Sequence, residues 1–395
     1  MRALSRNDAQ MPSLDLAPAS SDDYRRLAER RLPRQLFDYV DGGAGAETTL
    51  RANVEDLARV ALRQRVMRDV SALDTAVDLL GERWSMPVAL APIGMGGMMA
   101  RRAEAQAARA ADAAGIPFCL STVAVCSLEE VAKAARRPFW FQLYMLRDRG
   151  AVRELLARAR SVGVTTLVFT VDLAVVGARA RDIRNGMGPG IGAWGRLRAG
   201  LVDYLLHPRW LVDVGLRGGP HVFGNLRAYV PEATRPADFK AWVDAQFDPS
   251  VTWKDIELLR RDWDGRLVIK GVLTPEDARA AAQAGADAVV VSNHGGRQLD
   301  GAPSSIAALP GIRDALGDRP PLLLDGGVRT GGDVLKATAG GAAAVLIGRP
   351  WIYALAARGE AGLAAFLSLM RAELRVAMAL TGVTRMSEVG RQILA

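Results

Sequence analysis

Two cysteines in 395 residues, Cys119 and Cys126, are too few for a disulfide scaffold and lack the spacing of a zinc site. That scarcity implies a reducing compartment, and Cys119, inside the apolar run IPFCL, reads as a buried thiol. No uninterrupted apolar run reaches the length of a transmembrane helix, so none is expected. Residues 1–20 lack the apolar stretch of a signal peptide and read as a flexible tail. No GxGxxG follows a strand, which argues against a nicotinamide-binding Rossmann domain. His207 and His221 have no carboxylate or cysteine cluster beside them, and no metal site is expected. The basic residues show no repeated interleaving with aromatics, so nucleic acid is a poor fit.

What the chain does have is core and turns. Half of it is hydrophobic, enough for one large α/β domain or two ordinary ones. Its 40 glycines follow no period and point to tight turns between strands and helices. The formal charge of +8 suits anions or an anionic membrane surface without choosing between them.

From Pro87 a unit repeats: an apolar strand ending in Gly, Ser, Thr or Asp, then an alanine-rich helix. Candidate strands are 88–93, 117–121, 139–144, 165–172, 267–271, 288–295, 321–327 and 343–350. Ser127, Thr274 and Thr330 each stand three residues before a carboxylate as helix caps, and Pro275 takes a first-turn position. Eight units in series predict a closed (β/α)8 TIM barrel over residues 21–389, with helices at its N-terminal side and a short tail at 390–395. Ahead of the barrel, 22–32 and 33–40 read as helices. After it, 362–378 reads as a long amphipathic helix packing on the barrel or back over the N-terminal helices.

One excursion, 173–266, breaks the rhythm after the fourth strand. Within 187–217, Trp194, Leu197, Leu201, Leu205 and Leu206 recur at helical spacing beside Arg196, Arg198 and Arg209. That composition suits contact with an anionic membrane surface. Covering the barrel mouth or meeting another subunit is the alternative.

A barrel gathers the C-terminal ends of its strands at one mouth. Here they supply Ser121, Gln142, Tyr144, Thr170, Asp172, Lys270, His294, Arg297, Asp325, Arg329, Gly348 and Arg349. His294 and Arg297 can share an anion, one handling a proton and the other a carboxylate, with Asp172 orienting the histidine. Lys270 ends an apolar strand and must face an anion or an electron-rich ring; a Schiff base is the competing reading. Glycine turns at 325–334 and 345–350, with Arg329 and Arg349, mark a phosphate position.

The stretch Ser292-Asn293-His294-Gly295-Gly296-Arg297-Gln298-Leu299-Asp300 has partners at 141–144, 169–172, 268–271, 325–334 and 347–350. Together they resemble the FMN-dependent α-hydroxy-acid dehydrogenase and oxidase family, over about 31–389. Stretches at 121–132, 139–150 and 247–255 are most similar to its membrane-associated respiratory L-lactate dehydrogenase branch, with the mandelate branch as competitor. The resemblance implies FMN as cofactor and oxidation of L-lactate or another small L-2-hydroxy acid. It also implies a respiratory quinone or cytochrome acceptor, a peripheral site on the cytoplasmic side of the bacterial inner membrane (or else a soluble cytoplasmic protein), and a homo-oligomer, possibly a tetramer.

By the same resemblance His294 is the base and Asp172 stabilises its charged form. Arg297 and Arg179 bind the substrate carboxylate, with Tyr39 and Tyr144 around it, and Lys270 stabilises the reduced flavin. Ala91, Pro92, Ile93, Ser121, Gln142 and Thr170 border the flavin ring, Asp325 the ribityl chain, and Gly327, Arg329, Gly348 and Arg349 the phosphate. Hydride transfer and prior carbanion formation use the same histidine and stay open. Departures fall at Met99–Glu104 and around Arg179, where Val175-Val176-Gly177 resembles the mandelate branch. Gly94, alanine in some oxidases, leaves room beside the flavin.

Overall fold

The computed structural model describes residues 17–185, 202–230, 242 and 245–395. A short antiparallel hairpin, β1 (Val77–Leu79) and β2 (Glu82–Trp84), precedes eight parallel strands. These are β3 (Val88–Leu90), β4 (Cys119–Ser121), β5 (Trp140–Leu143), β6 (Thr166–Thr170), β7 (Arg266–Val272), β8 (Ala288–Val291), β9 (Leu322–Asp325) and β10 (Ala344–Ile347). They run in the order β3-β10-β9-β8-β7-β6-β5-β4. A parallel bridge from Leu90 to Phe118 closes the ring, with Leu90 N–H donating to Pro117 O at 2.9 Å. All eight sequence runs are strands, and most stop short of their polar ends because those residues leave the ladder to turn over the mouth.

Side-chain alternation builds the inside of the barrel. Trp140, Val168, Val268, Val290, Leu323 and Leu346 point inward and are buried with Ala89, Ala288 and Ala344. Trp84, brought in by the hairpin, packs against Trp140 with ring centroids 5.5 Å apart, so two large rings plug the end away from the mouth. One inward step toward the mouth the same face turns polar: Ser121, Gln142, Thr170, Lys270, Ser292 and Asp325, all buried. That period of two positions the site.

The helices start where capping residues are. Ser127, Thr274 and Thr330 each accept a backbone N–H three residues on, and Thr330 with Asp333 completes a capping box. At the N-terminus lie α1 (Ser21–Arg31), α2 (Arg34–Asp41) and α3 (Thr48–Arg59). Pro33 stands at the cap of α2, one position earlier than a first-turn proline. The last helix, Arg349–Thr381, is longer than expected and kinks at Arg358–Gly359. It closes back over α1, with Tyr24 edge-on to Phe366 at 5.7 Å.

Two boundaries differ from the sequence reading. Ser20 caps α1 by accepting from Asp23 N–H; residues 1–16 lie outside the described part. Residues 390–395 are not a free tail: Ile393 is buried and Leu394 bridges to Leu62. Both cysteines are buried free thiols.

In the excursion, Trp194, Arg196, Leu197, Arg198 and Leu201 lie outside the described residues. Asp203–Leu216 forms short helical turns. Trp210 and Val214 are buried, and the Trp210 indole N–H donates to Met98 O at 2.8 Å. Val202, Leu205, Leu206, Val212 and Leu216 are exposed beside exposed Arg209 and Arg217. No helix among the described residues is long and apolar enough to cross a membrane.

Candidate active site

His294 Nδ1 lies 2.8 Å from Asp172 Oδ1. A carboxylate only accepts, so the proton sits on Nδ1 and Nε2 keeps a free lone pair, the arrangement of a general base. His294 holds φ +57°, and Gly295 and Gly296 continue in the left-handed region. The tight turn throws the ring inward from the end of β8, against Asp172 beyond β6. Room for that carboxylate comes from Gly271 (φ +112°) at a bulge in β7: a Cβ there would lie 2.7 Å from Asp172 Cβ. Burial lowers the His294 pKa, and Lys270 and Arg179 push the same way, outweighing Asp172. Burial would raise Asp172, but His294 and Lys270 hold it below the usual carboxylate range.

Lys270 Nζ lies 2.8 Å from Asp325 Oδ2 and donates to Ser292 Oγ at 2.9 Å. The Ser292 hydroxyl donates on to Asp325 Oδ1 at 2.6 Å. Burial alone would lower the lysine pKa; Asp325 and Asp172 more than reverse it. Lys270 is therefore a held ammonium, the wrong state for the nucleophile of a Schiff base.

Arg297 donates to Tyr39 O and Gly42 O at 2.5 and 2.9 Å, and its guanidinium lies 5.0 Å from the Tyr39 ring centre. Burial, then Arg179 and Arg349 alongside, pushes it down to about 9. A buried cluster of like charges of this kind favours a bound anion. Among the described residues Arg179 reaches only Asp182, at 4.0 Å, and its buried Nε has no partner. Tyr39, Tyr144, Arg179 and Arg297 line one cavity of about 370 Å³ with His294, Lys270, Thr170 and Asp325, within the range of cofactor and small-ligand sites. Leu173, Val176, Ile183, Phe223 and Phe247 give it apolar walls. Among the described residues no group of three or more His, Cys, Asp or Glu is placed to hold a metal. His207 and His221 each meet a backbone carbonyl instead.

The polar floor fits a flavin. Among the described residues Gln142 Nε2 and Thr170 Oγ1 are buried donors without partners, suited to the carbonyl and nitrogen edge of a heterocycle. Ser121 Oγ donates to Gln142 Oε1 at 3.1 Å and fixes which face of the amide is left. Pro92 and Ile93 line the cavity, as does Ala91, whose N–H and C=O are already bonded to Ile347 and Trp351. Gly327, Arg329, Gly348 and Arg349 line the other end. Desolvation lowers the pKa of the half-buried Arg329, whose guanidinium among the described residues bonds only Val328 O while its backbone N–H donates to Asp333. Arg349 does more than the sequence implied, donating to Val40 O, Gly295 O and Gly42 O at 2.8–3.0 Å.

Most of the residues read from sequence line the cavity; Ser121, Gln142 and Asp172 do not, and the supports of the site were missed. Ser292 also accepts the His294 N–H at 3.0 Å; its inward step after Ala288 and Val290 was a readable signal. Asn53 and Asn293 exchange reciprocal hydrogen bonds of 2.8 Å, and nothing local in sequence marks that pair. Arg181 lies 2.8 Å from Asp41 and 2.6 Å from Glu47, tying the segment beside Arg179 to the end of α2 and the start of α3.

A family model described as FMN-dependent dehydrogenase matches residues 28–395. The L-lactate dehydrogenase of Caulobacter vibrioides is 58% identical over 378 residues, 95% of this chain and 97% of that protein. That of Alcaligenes faecalis is 54% identical over 380 residues, 95% and 98% of the two chains. Among solved structures, a monotopic membrane protein, (S)-mandelate dehydrogenase, superposes with TM-score 0.90 at 35% identity, covering 96% of this chain and 100% of its own. A mandelate oxidase gives 0.81 at 38%, covering 96% and 98%. With its barrel, its unpartnered buried donors and these relatives, the chain belongs to the FMN-dependent dehydrogenase family and is an FMN-binding oxidoreductase.

Proposed function

We propose that this enzyme oxidises L-lactate to pyruvate, and the observation that carries the reading is one cavity lined by His294, itself paired with Asp172, together with Arg179 and Arg297. The substrate carboxylate binds the two arginines, and Tyr39 and Tyr144 hydrogen-bond around it. Free Nε2 of His294 takes a proton from the substrate, and Asp172 stabilises the imidazolium so formed. FMN, when bound, supplies the sink for the two electrons the substrate loses. Lys270, kept charged by Asp325, would offset negative charge on the reduced cofactor, which Ser121, Gln142 and Thr170 would help to hold. Asp325 would serve the ribityl chain as well, and Arg329 with the Gly327 and Gly348 turns would serve the phosphate.

The relatives of highest identity named here are L-lactate dehydrogenases, which supports lactate. The apolar walls and the likeness to (S)-mandelate dehydrogenase support a bulkier 2-hydroxy acid as second reading. An anaerobic panel of L-lactate, D-lactate, glycolate and L-mandelate decides between them. L-lactate should bleach the flavin fastest; bleaching by L-mandelate alone would move the substrate to the aromatic acid.

The acceptor we propose is a respiratory quinone or cytochrome, reached from the cytoplasmic face of the inner membrane by a peripheral homo-oligomer. Exposed Leu205, Leu206 and Leu216 beside Arg209 and Arg217, and the monotopic membrane relative, support the membrane contact.

A further inference from the structure

The loop after β6 carries Asp172 and Arg179; the loop after β8 carries His294 and Arg297. One side chain joins them. Gln298 Nε2 donates to Asp172 O at 2.7 Å and to Val175 O at 3.0 Å, while Gly177 N–H donates to Gln298 Oε1 at 3.4 Å. Two carbonyls on one side and an N–H on the other fix the amide's orientation, and both its protons are used. At Gly177 the backbones touch: a Cβ there would come within 2.3 Å of Arg297 O and 2.7 Å of Gln298 O.

We propose that Gln298 is a positioning residue that sets the pairing of His294 with Asp172 and the spacing of Arg179 from Arg297. It touches no substrate. Its amide seizes the backbone at Asp172 and again four residues before Arg179, so base and carboxylate clamp hold one register. The inference rests on His294 serving as base in 2-hydroxy-acid oxidation.

The test compares Gln298→Met, of similar length without hydrogen bonds, with Gln298→Glu, of similar shape but facing two carbonyl oxygens with a carboxylate. Imidazole NMR of the substrate-free enzyme follows only three histidines. Around His294 the charged groups are Asp172, Lys270 and Arg179, of which Asp172 alone favours the imidazolium. In Gln298→Met, weaker pairing with Asp172 should move the His294 midpoint down. KM for lactate and the Kd for oxalate, read from flavin absorbance, should rise about tenfold, and kcat should fall on the order of 10²-fold, as for a misplacement of about 1 Å. Gln298→Glu should fall further in kcat; a packing role alone would make it the milder change.

If Gln298→Met loses activity only in proportion to its folded fraction, with His294 titration and KM unmoved, the proposal fails. Gln298→Asn keeps the amide but draws it back by one methylene, out of reach of the carbonyls, and decides the matter should Gln298→Met not fold. It gives the same signature if Gln298 positions the pair, and no titration shift if it does not. Because the titration needs no substrate, a wrong substrate would leave its shift intact.

Discussion

His294 owes its suitability as a base to two opposed effects in one place. Burial lowers its pKa, so the neutral form is already present near neutral pH, and Asp172 recovers part of the cost of charging it. The sign of the pH dependence follows. Activity should be full above the His294 midpoint, which lies under the ordinary value of about 6.5, and be lost as pH falls through it. Asp172→Asn removes the charge that favours the imidazolium, so the acid limb of kcat/KM should move to lower pH even as kcat drops. His294→Gln should cost about 10²- to 10⁴-fold in kcat with flavin content unchanged; a normal rate would remove the histidine from the chemistry. Lys270→Met strands Asp325 as an unpaired buried charge and should cost about 3–5 kcal/mol in chemical denaturation, much of it recovered by adding Asp325→Asn.

Strands were legible where loops were not. Val290 and Ser292, or Val268 and Lys270, sit two apart on an inward face, and a period of two survives in sequence. The turn from Asn293 to Gly296 has no period, and its supports come from α3 and from the β6 loop, far away in the chain. His294, Arg297 and Lys270 could be read because their chemistry is conspicuous. Asn53, Arg181 and Gln298 could not, since each matters only through a tertiary hydrogen bond.

The excursion shows the same limit. Helical spacing of Leu205 and Leu206 was readable, yet the anchoring of the segment by Trp210 was not, and removing 187–217 whole would open the core. Leu205→Glu, Leu206→Glu and Leu216→Glu replace side chains that are 59%, 72% and 74% exposed. They should alter stability by no more than about 0.5 kcal/mol each while releasing the protein from anionic vesicles in a flotation assay. Undiminished vesicle binding by the triple variant would end the membrane reading.

Across the whole molecule the barrel divides its labour by end. The Trp84–Trp140 plug lies at the end opposite the mouth, where packing holds the ring together. Trp84→Ala should cost about 3–5 kcal/mol in thermal or denaturant unfolding yet leave KM and the acid limb unmoved in the surviving folded enzyme. A changed pH profile would mean that the two ends are coupled through the barrel.

The backbone carbonyls at the end of α2 have a consequence for how the protein is made. Tyr39, Val40 and Gly42 wait for Arg297 and Arg349, which lie 255 to 309 positions later in the chain. Synthesis delivers the N-terminus first, so α2 leaves the ribosome long before the guanidinium groups that seat it. The pocket wall bearing Tyr39 is thus completed last although it is translated first. A chain halted before Gly348 has the base and Arg297 but not Arg349, so its seat is half made, and it should emerge without its flavin.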